Sequence, residues 1–144
     1  MRVVYPLLLV LAVSFSAQAQ KQKYEHQNQS STITYPEEKH FKNVQQLTFG
    51  GDNAEAYFSF DSKAIVFQRT NPKEGLMCDQ IFYGKLPKSA TDKFSYKLVS
   101  TGKGRTTCSY LTPNGKHVIY ASTHKAADTC PPVPDKKALK KYVW

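Results

Sequence analysis

The residues of this chain that could do chemistry are three cysteines, four histidines and a scatter of serines and aspartates. Cys78, Cys108 and Cys130 come first, because an odd cysteine count implies one disulfide and one leftover thiol. A metal site is the sharper alternative, since Cys108, His124, Asp128 and Cys130 all carry ligand-type side chains. No Cys-x-x-Cys, His-Glu-x-x-His or His-x-x-x-His spacing accompanies them, so no metal is expected. A Gly-x-Ser-x-Gly elbow is also missing. Gly50-Gly51 and Gly102-x-Gly104 lack the Lys-Ser/Thr pair and the helix of a phosphate loop, and they fit better as turns leading into strands. The sequence therefore gives no reason to expect a catalytic residue, a cofactor or an enzyme within this chain.

The stretch from Leu47 to Arg69 must position whatever these residues do. Ala56, Phe58 and Phe60 alternate as in a strand, Asp61-Ser62 supplies a turn, and Ala64-Ile65-Val66-Phe67 is a short apolar run. The pattern returns at a constant spacing of 53 residues (111 − 58). Phe58 matches Leu111, Ser59 matches Thr112, Lys63 matches Lys116, and Gly51 matches Gly104. An internal repeat of this kind decides the fold. The first copy reads as four strands: a, Glu55 to Phe60; b, Ala64 to Arg69; c, Gln80 to Leu86; and d, Phe94 to Val99. The b–c loop would run from Thr70 to Asp79 and the c–d loop from Pro87 to Lys93. The second copy supplies only strand a, Cys108 to Thr112, and strand b, His117 to Ser122. Asn114-Gly115 between them predicts a two-residue type I′ hairpin. In an up-and-down sheet the b–c and d–a connections share one face, which gathers Cys78, Cys108 and Cys130. Cys108, in the best-ordered element, is expected to pair with Cys78 or with Cys130.

The repeat also resembles a known family. Leu-Thr-x-Gly-Gly, then Phe-Ser-x-Asp-x-Lys, then an apolar strand is similar to the TolB-type, WD40-like β-propeller repeat, whose turn usually reads Ser-Pro-Asp-Gly-Lys. The first copy has Gly50, Gly51, Ser59, Asp61 and Lys63, with Phe60 for the proline and Ser62 for the glycine. The second has Pro113, Gly115 and Lys116, with Thr112 for the serine and Asn114 for the aspartate. The resemblance covers residues 43–130. It implies an all-β fold of antiparallel four-stranded blades, with blade one at 55–99 and a partial blade two at 108–122. That is about one and a half blades, whereas a propeller closes with about four to eight. The missing blades are accordingly expected in cis.

Residues 1–19 have the tripartite form of a secretory signal: Arg2, an apolar core from Leu7 to Val13, and Ala17-Gln18-Ala19 before the cut. The apolar run is too short to span a bilayer, so no transmembrane span should remain after cleavage. Residues 20–42 are polar and read as a flexible leader. Phe41 and Val44 would pin it against a first strand, Val44 to Thr48. Residues 131–144 form a basic tail, read as truncated. The net charge of +9 comes mainly from scattered lysines. Without an arginine-rich stripe or stacking platforms, nucleic acid is not expected as a partner. The resemblance implies a protein-binding or scaffold module in the cell envelope, periplasmic or secreted. The alternative it implies is the N-terminal propeller of an exopeptidase whose catalytic domain lies beyond Trp144.

Overall fold

The structure is a computed structural model, and it describes residues 23–25, 36–42, 44–89 and 91–140. The signal-peptide reading and most of the leader lie outside these residues. The described chain is all-β and antiparallel, with almost no helix. A five-stranded sheet is ordered β1-β5-β4-β3-β2, from β1 (Lys23–Glu25), β2 (Asp52–Phe58), β3 (Ala64–Asn71), β4 (Leu76–Lys85) and β5 (Ser95–Leu98). A separate hairpin pairs β6 (Thr106–Leu111) with β7 (Val118–Ser122). One helical turn, α1 (Lys136–Leu139), follows, capped by Asp135 Oδ1 accepting from the Lys137 and Ala138 backbone N–H groups.

Strand β3 lies inside the sheet, between β4 and β2, and is buried along both faces, as its apolar run implies. On one face Ile65 and Phe67 meet Leu76, Phe82, Phe94 and Tyr96 in the main core. The Phe67 ring stacks on Phe82 at 5.8 Å and meets Tyr96 edge-on at 5.4 Å, both within the preferred aromatic range. Gly84 is required here, because a Cβ would lie 2.4 Å from the Phe94 ring. The opposite face carries Val66 and Ile81, both fully buried. The β6–β7 hairpin covers this second face, with β6 contacting β2, β3 and β4.

Several expected boundaries move. Strand c begins at Leu76, so Cys78 lies within β4 and the b–c connection shrinks to Pro72–Gly75. A buried ion pair closes this connection. Arg69 is fully buried, and Glu74 Oε2 and Oε1 accept from its two terminal nitrogens at 2.6 and 2.9 Å. Asn71 Nδ2 donates to the same carboxylate at 2.7 Å, and Gly75 ends the turn with φ of 79°. Residues Val44 to Thr48 do not form the expected strand; they make one isolated bridge at Gln45, and Leu47 packs on the core. The leader reading also changes at Lys23–Glu25, whose backbone pairs with the open edge of β5. The alternation of Ala56, Phe58 and Phe60 found a strand but not a buried face, since Phe58 and Phe60 are 62% and 60% exposed.

Candidate functional site

The motif residues build two turns, and the turns share most of their hydrogen bonds. In the first, Ser59 Oγ donates to Asp61 Oδ1 at 2.6 Å, and Asp61 Oδ1 accepts from Lys63 N at 3.2 Å. In the second, Thr112 Oγ1 donates to Asn114 Oδ1 at 2.8 Å, and Asn114 Oδ1 accepts from Lys116 N at 3.0 Å. The Ser59 hydroxyl accepts from Ala64 N at 2.9 Å, and the Thr112 hydroxyl accepts from His117 N at 3.1 Å. Backbone bonds Ser62 N to Ser59 O and Gly115 N to Thr112 O are both 2.8 Å. Each pair of atoms is separated by the same 53 positions as the sequence repeat (115 − 62).

The predicted two-residue type I′ hairpin is corrected by this geometry. Thr112 N bonds His117 O, so four residues intervene, and of Asn114-Gly115 only Gly115 has positive φ, at 66°. Pro113 holds the φ of the second turn position near −65°, which suits an ordinary turn and opposes a type I′ one. The repeat extends to a bulge in each first strand. Register shifts between Ala54 and Tyr57, and again between Thr107 and Tyr110. Glu55 and Cys108 sit at those bulges with φ of 51° and 50°. Gly50 and Gly51 also adopt positive φ, and a Cβ on Gly51 would lie 2.1 Å from Thr70 O. The equivalent Tyr57 and Tyr110 rings touch edge-on at 5.6 Å, which sets the two first strands side by side.

The cysteine expectation is also corrected. Cys78 is bonded to Cys130, with Cα atoms 5.7 Å apart, and Cys108 is free and exposed. The bulge explains this: it turns Cys108 outward, whereas Cys78 in β4 is buried beside the chain that leaves β7. The residues weighed as metal ligands are engaged separately. Asp128 Oδ2 pairs with Lys103 Nζ at 2.6 Å, and His124 Nδ1 lies 2.8 Å from Ser122 Oγ. That serine also accepts from the His124 backbone N–H at 3.2 Å, which makes the contact a local turn. Among the described residues no group of three or more His, Cys, Asp or Glu side chains could hold a metal ion.

The disulfide and a buried polar chain close one end of the seam between sheet and hairpin. Gln80 Nε2 donates to Gly104 O at 2.8 Å, Ser100 Oγ donates to Gln80 Oε1 at 2.7 Å, and Thr106 Oγ1 donates to Asp79 O at 2.9 Å. The other end is open. There the two repeated turns and the start of the β4–β5 connection line a cleft of about 630 Å³. A second cleft of about 720 Å³ shares the wall from Tyr83 and Lys85 to Lys88 and runs on to Lys93 and Lys97.

Register explains why these lysines converge. Tyr83 pairs directly with Lys97, so the two share a face, and Lys97 Nζ lies 5.6 Å over the Tyr83 ring. Lys85 follows two residues after Tyr83 on that face, and Lys63 is tied nearby through Leu86 N donating to its carbonyl at 2.9 Å. Asp61 at the rim is held below the usual carboxylate range, first by the Ser59 hydroxyl and then by the Lys63 backbone N–H. Asp92 is lowered likewise, by the Ser89 side chain and then the Lys88 backbone N–H. Sequence reasoning placed Lys63 in the motif but read Lys85, Lys88, Lys93 and Lys97 as scattered surface charge. Only strand pairing brings them to one place.

Comparison with protein-family models, with curated proteins and with solved structures finds no match to this chain.

Proposed function

We propose that this chain belongs to an exported, periplasmic or secreted β-propeller of TolB-like type that binds or scaffolds other proteins in the cell envelope. The observation that carries this reading is the second hairpin. It repeats the turn and the bulge of the first copy, a Cβ on Gly104 would meet Thr123 and His124 just as one on Gly51 meets Thr70 and Asn71, and the hairpin packs on that copy's sheet. Strands β2 to β5 are then a four-stranded blade, and β6 with β7 is the inner half of the next. The side-by-side Tyr57 and Tyr110 rings are what a radial arrangement of first strands requires. The β6–β7 hairpin leaves Ile119 67% exposed, and a further copy of the repeat would cover it. Among the described residues no helix is long and apolar enough to cross a membrane.

The test is fractionation of cells producing the native protein, with N-terminal sequencing, sizing and cross-linking of the envelope pool. The expected outcome is a mature chain starting at Gln20, with further copies of the repeat in the same polypeptide and discrete cross-links to envelope proteins. Retention of Met1 to Ala19 in a cytoplasmic pool would refute export. A stable monomer of this chain with no partner would refute the propeller and scaffold reading.

A further inference from the structure

The open end of the seam differs in chemistry from the rest of the molecule. Five lysines, Lys63, Lys85, Lys88, Lys93 and Lys97, rim the two joined clefts, and all are exposed. None of them has an ion-pair partner among the described residues, whereas Lys103 does. The two aspartates at the same rim, Asp61 and Asp92, stay ionised and leave a net excess of three positive charges (5 − 2). Asp61 Oδ1 and Asp92 Oδ2 are committed to their own turns, Asp92 Oδ2 accepting from Lys88 N at 3.0 Å and Ser89 N at 3.1 Å. Beneath this rim lie half-buried Tyr83, Leu86 and Pro87, with the exposed Phe60 ring at one side.

We infer that this cleft docks an extended acidic segment of a partner protein, with its carboxylates on the lysine rim and its apolar side chains on the floor. The inference rests on the protein-binding reading above and names the surface and the chemistry of the partner. Burial argues against a bilayer, because Tyr83, Leu86 and Pro87 are half-buried and Phe60 alone of these apolar groups is exposed. Chemistry argues against a phosphate polymer, because such a ligand gains nothing from Leu86 and Pro87, and the rim offers no arginine fork. An acidic peptide uses both parts. The lysines would steer it and set its register, and the floor would supply most of the affinity.

Fluorescence anisotropy with the whole protein tests this. The probe is a labelled peptide alternating Glu and Asp with Leu and Phe, compared with its Gln/Asn counterpart. The expected result is binding of the acidic probe, weakened by about tenfold or more in the amide counterpart and in the Lys85→Glu/Lys88→Glu variant. Lys93→Glu on the far rim should weaken it as well. The control is Lys73→Glu/Lys125→Glu, which makes the same charge change away from the cleft and should stay within about twofold. Each variant is checked for an unchanged melting transition before binding is read. Equal loss in the cleft and control variants would overturn the site, because the whole protein's charge would then explain binding. Failure to bind the acidic probe, or tighter binding of phosphatidylglycerol vesicles or inorganic polyphosphate, would also overturn it. Envelope cross-links that persist in the Lys85→Glu/Lys88→Glu variant would sink the cleft while leaving the scaffold reading in place.

Discussion

Removing the Glu74 carboxylate tests whether a buried ion pair holds the β3–β4 connection. Arg69 has no solvent exposure, and its guanidinium also lies 5.7 Å from the centre of the Tyr96 ring. Glu74→Ala takes away two charge-assisted hydrogen bonds from Arg69 and one from Asn71. Breaking a buried pair by deleting one partner costs about 3–5 kcal/mol, because a buried charge loses its bidentate carboxylate. The Glu74 side chain is 29% exposed, so water can enter the vacated space, and the lower end, about 3 kcal/mol, is expected. Against a total domain stability of about 5–15 kcal/mol, that loss is easily measured. Urea unfolding followed by far-UV circular dichroism should show a lower midpoint at unchanged slope. Adding Arg69→Met removes the buried charge and should recover part of the loss. A midpoint shift worth less than about 0.5 kcal/mol in Glu74→Ala would refute the reasoning, since that is the range of an ordinary surface substitution. So would a double variant less stable than the single one.

Three further outcomes follow from particular contacts. A non-reducing peptide map should show Cys78 joined to Cys130 and Cys108 freely alkylated, and reduction should cost about 4 kcal/mol by the loop-entropy estimate for a separation of 52 residues. Gly51→Ala drives a Cβ into the Thr70 carbonyl, whereas Gly115→Ala meets nothing within 4 Å. Thermal melts should therefore rank Gly51→Ala well below Gly115→Ala, whose cost is only the left-handed backbone, about 1 kcal/mol; equal shifts would mean the Gly51 approach is not close. Asp61 has its folded pKa depressed below that of an unstructured aspartate, so its stabilising contribution is complete above the unfolded pKa and is lost as pH falls through the folded one. Carboxyl chemical shifts should show Asp61 titrating below an unstructured aspartate, and Ser59→Ala should raise its midpoint.

The repeat was legible because the turn imposes requirements on atoms that several residue types meet. The first turn position needs a hydroxyl, supplied by Ser59 or Thr112. The third needs a side-chain oxygen acceptor, supplied by Asp61 or Asn114. The fourth must enter the left-handed region, where Ser62 reaches φ of 57° and Gly115 reaches 66°. The two copies share few residue types in this turn, yet both satisfy the same physical demands, and so the spacing shows in the sequence. Strand β3 was legible too, because an apolar run of β-branched and aromatic residues has few other uses. The disulfide was not. Its choice depended on a bulge at Cys108, which carries no Gly or Pro to announce it. The length of β4 was equally hidden, since only the Arg69–Glu74 pair reveals that the chain reverses within Pro72–Gly75.

The cleft lies at the limit of what periodicity can show. A period-two pattern reports which side of a strand is apolar, but it does not report which residues of distant strands stand opposite each other. Tyr83 and Lys97 are fourteen positions apart (97 − 83), and their meeting depends on the register of β4 against β5. Lys63 enters through a backbone bond to Leu86, which no side-chain pattern encodes. The closed end of the seam is different in kind. A disulfide and buried polar side chains hold Gly104 and Cys130 against β4, so the hairpin cannot swing away there. A seam fixed at one end and open at the other keeps the rim lysines at a constant spacing while leaving the floor accessible. Rigidity of this kind lowers the ordering cost of binding. Cutting the tether should therefore weaken capture of the acidic probe even though Cys78 and Cys130 lie far from the cleft. Reduction that melts the β6–β7 packing and yet leaves probe affinity unchanged would show that the second turn contributes nothing to the site.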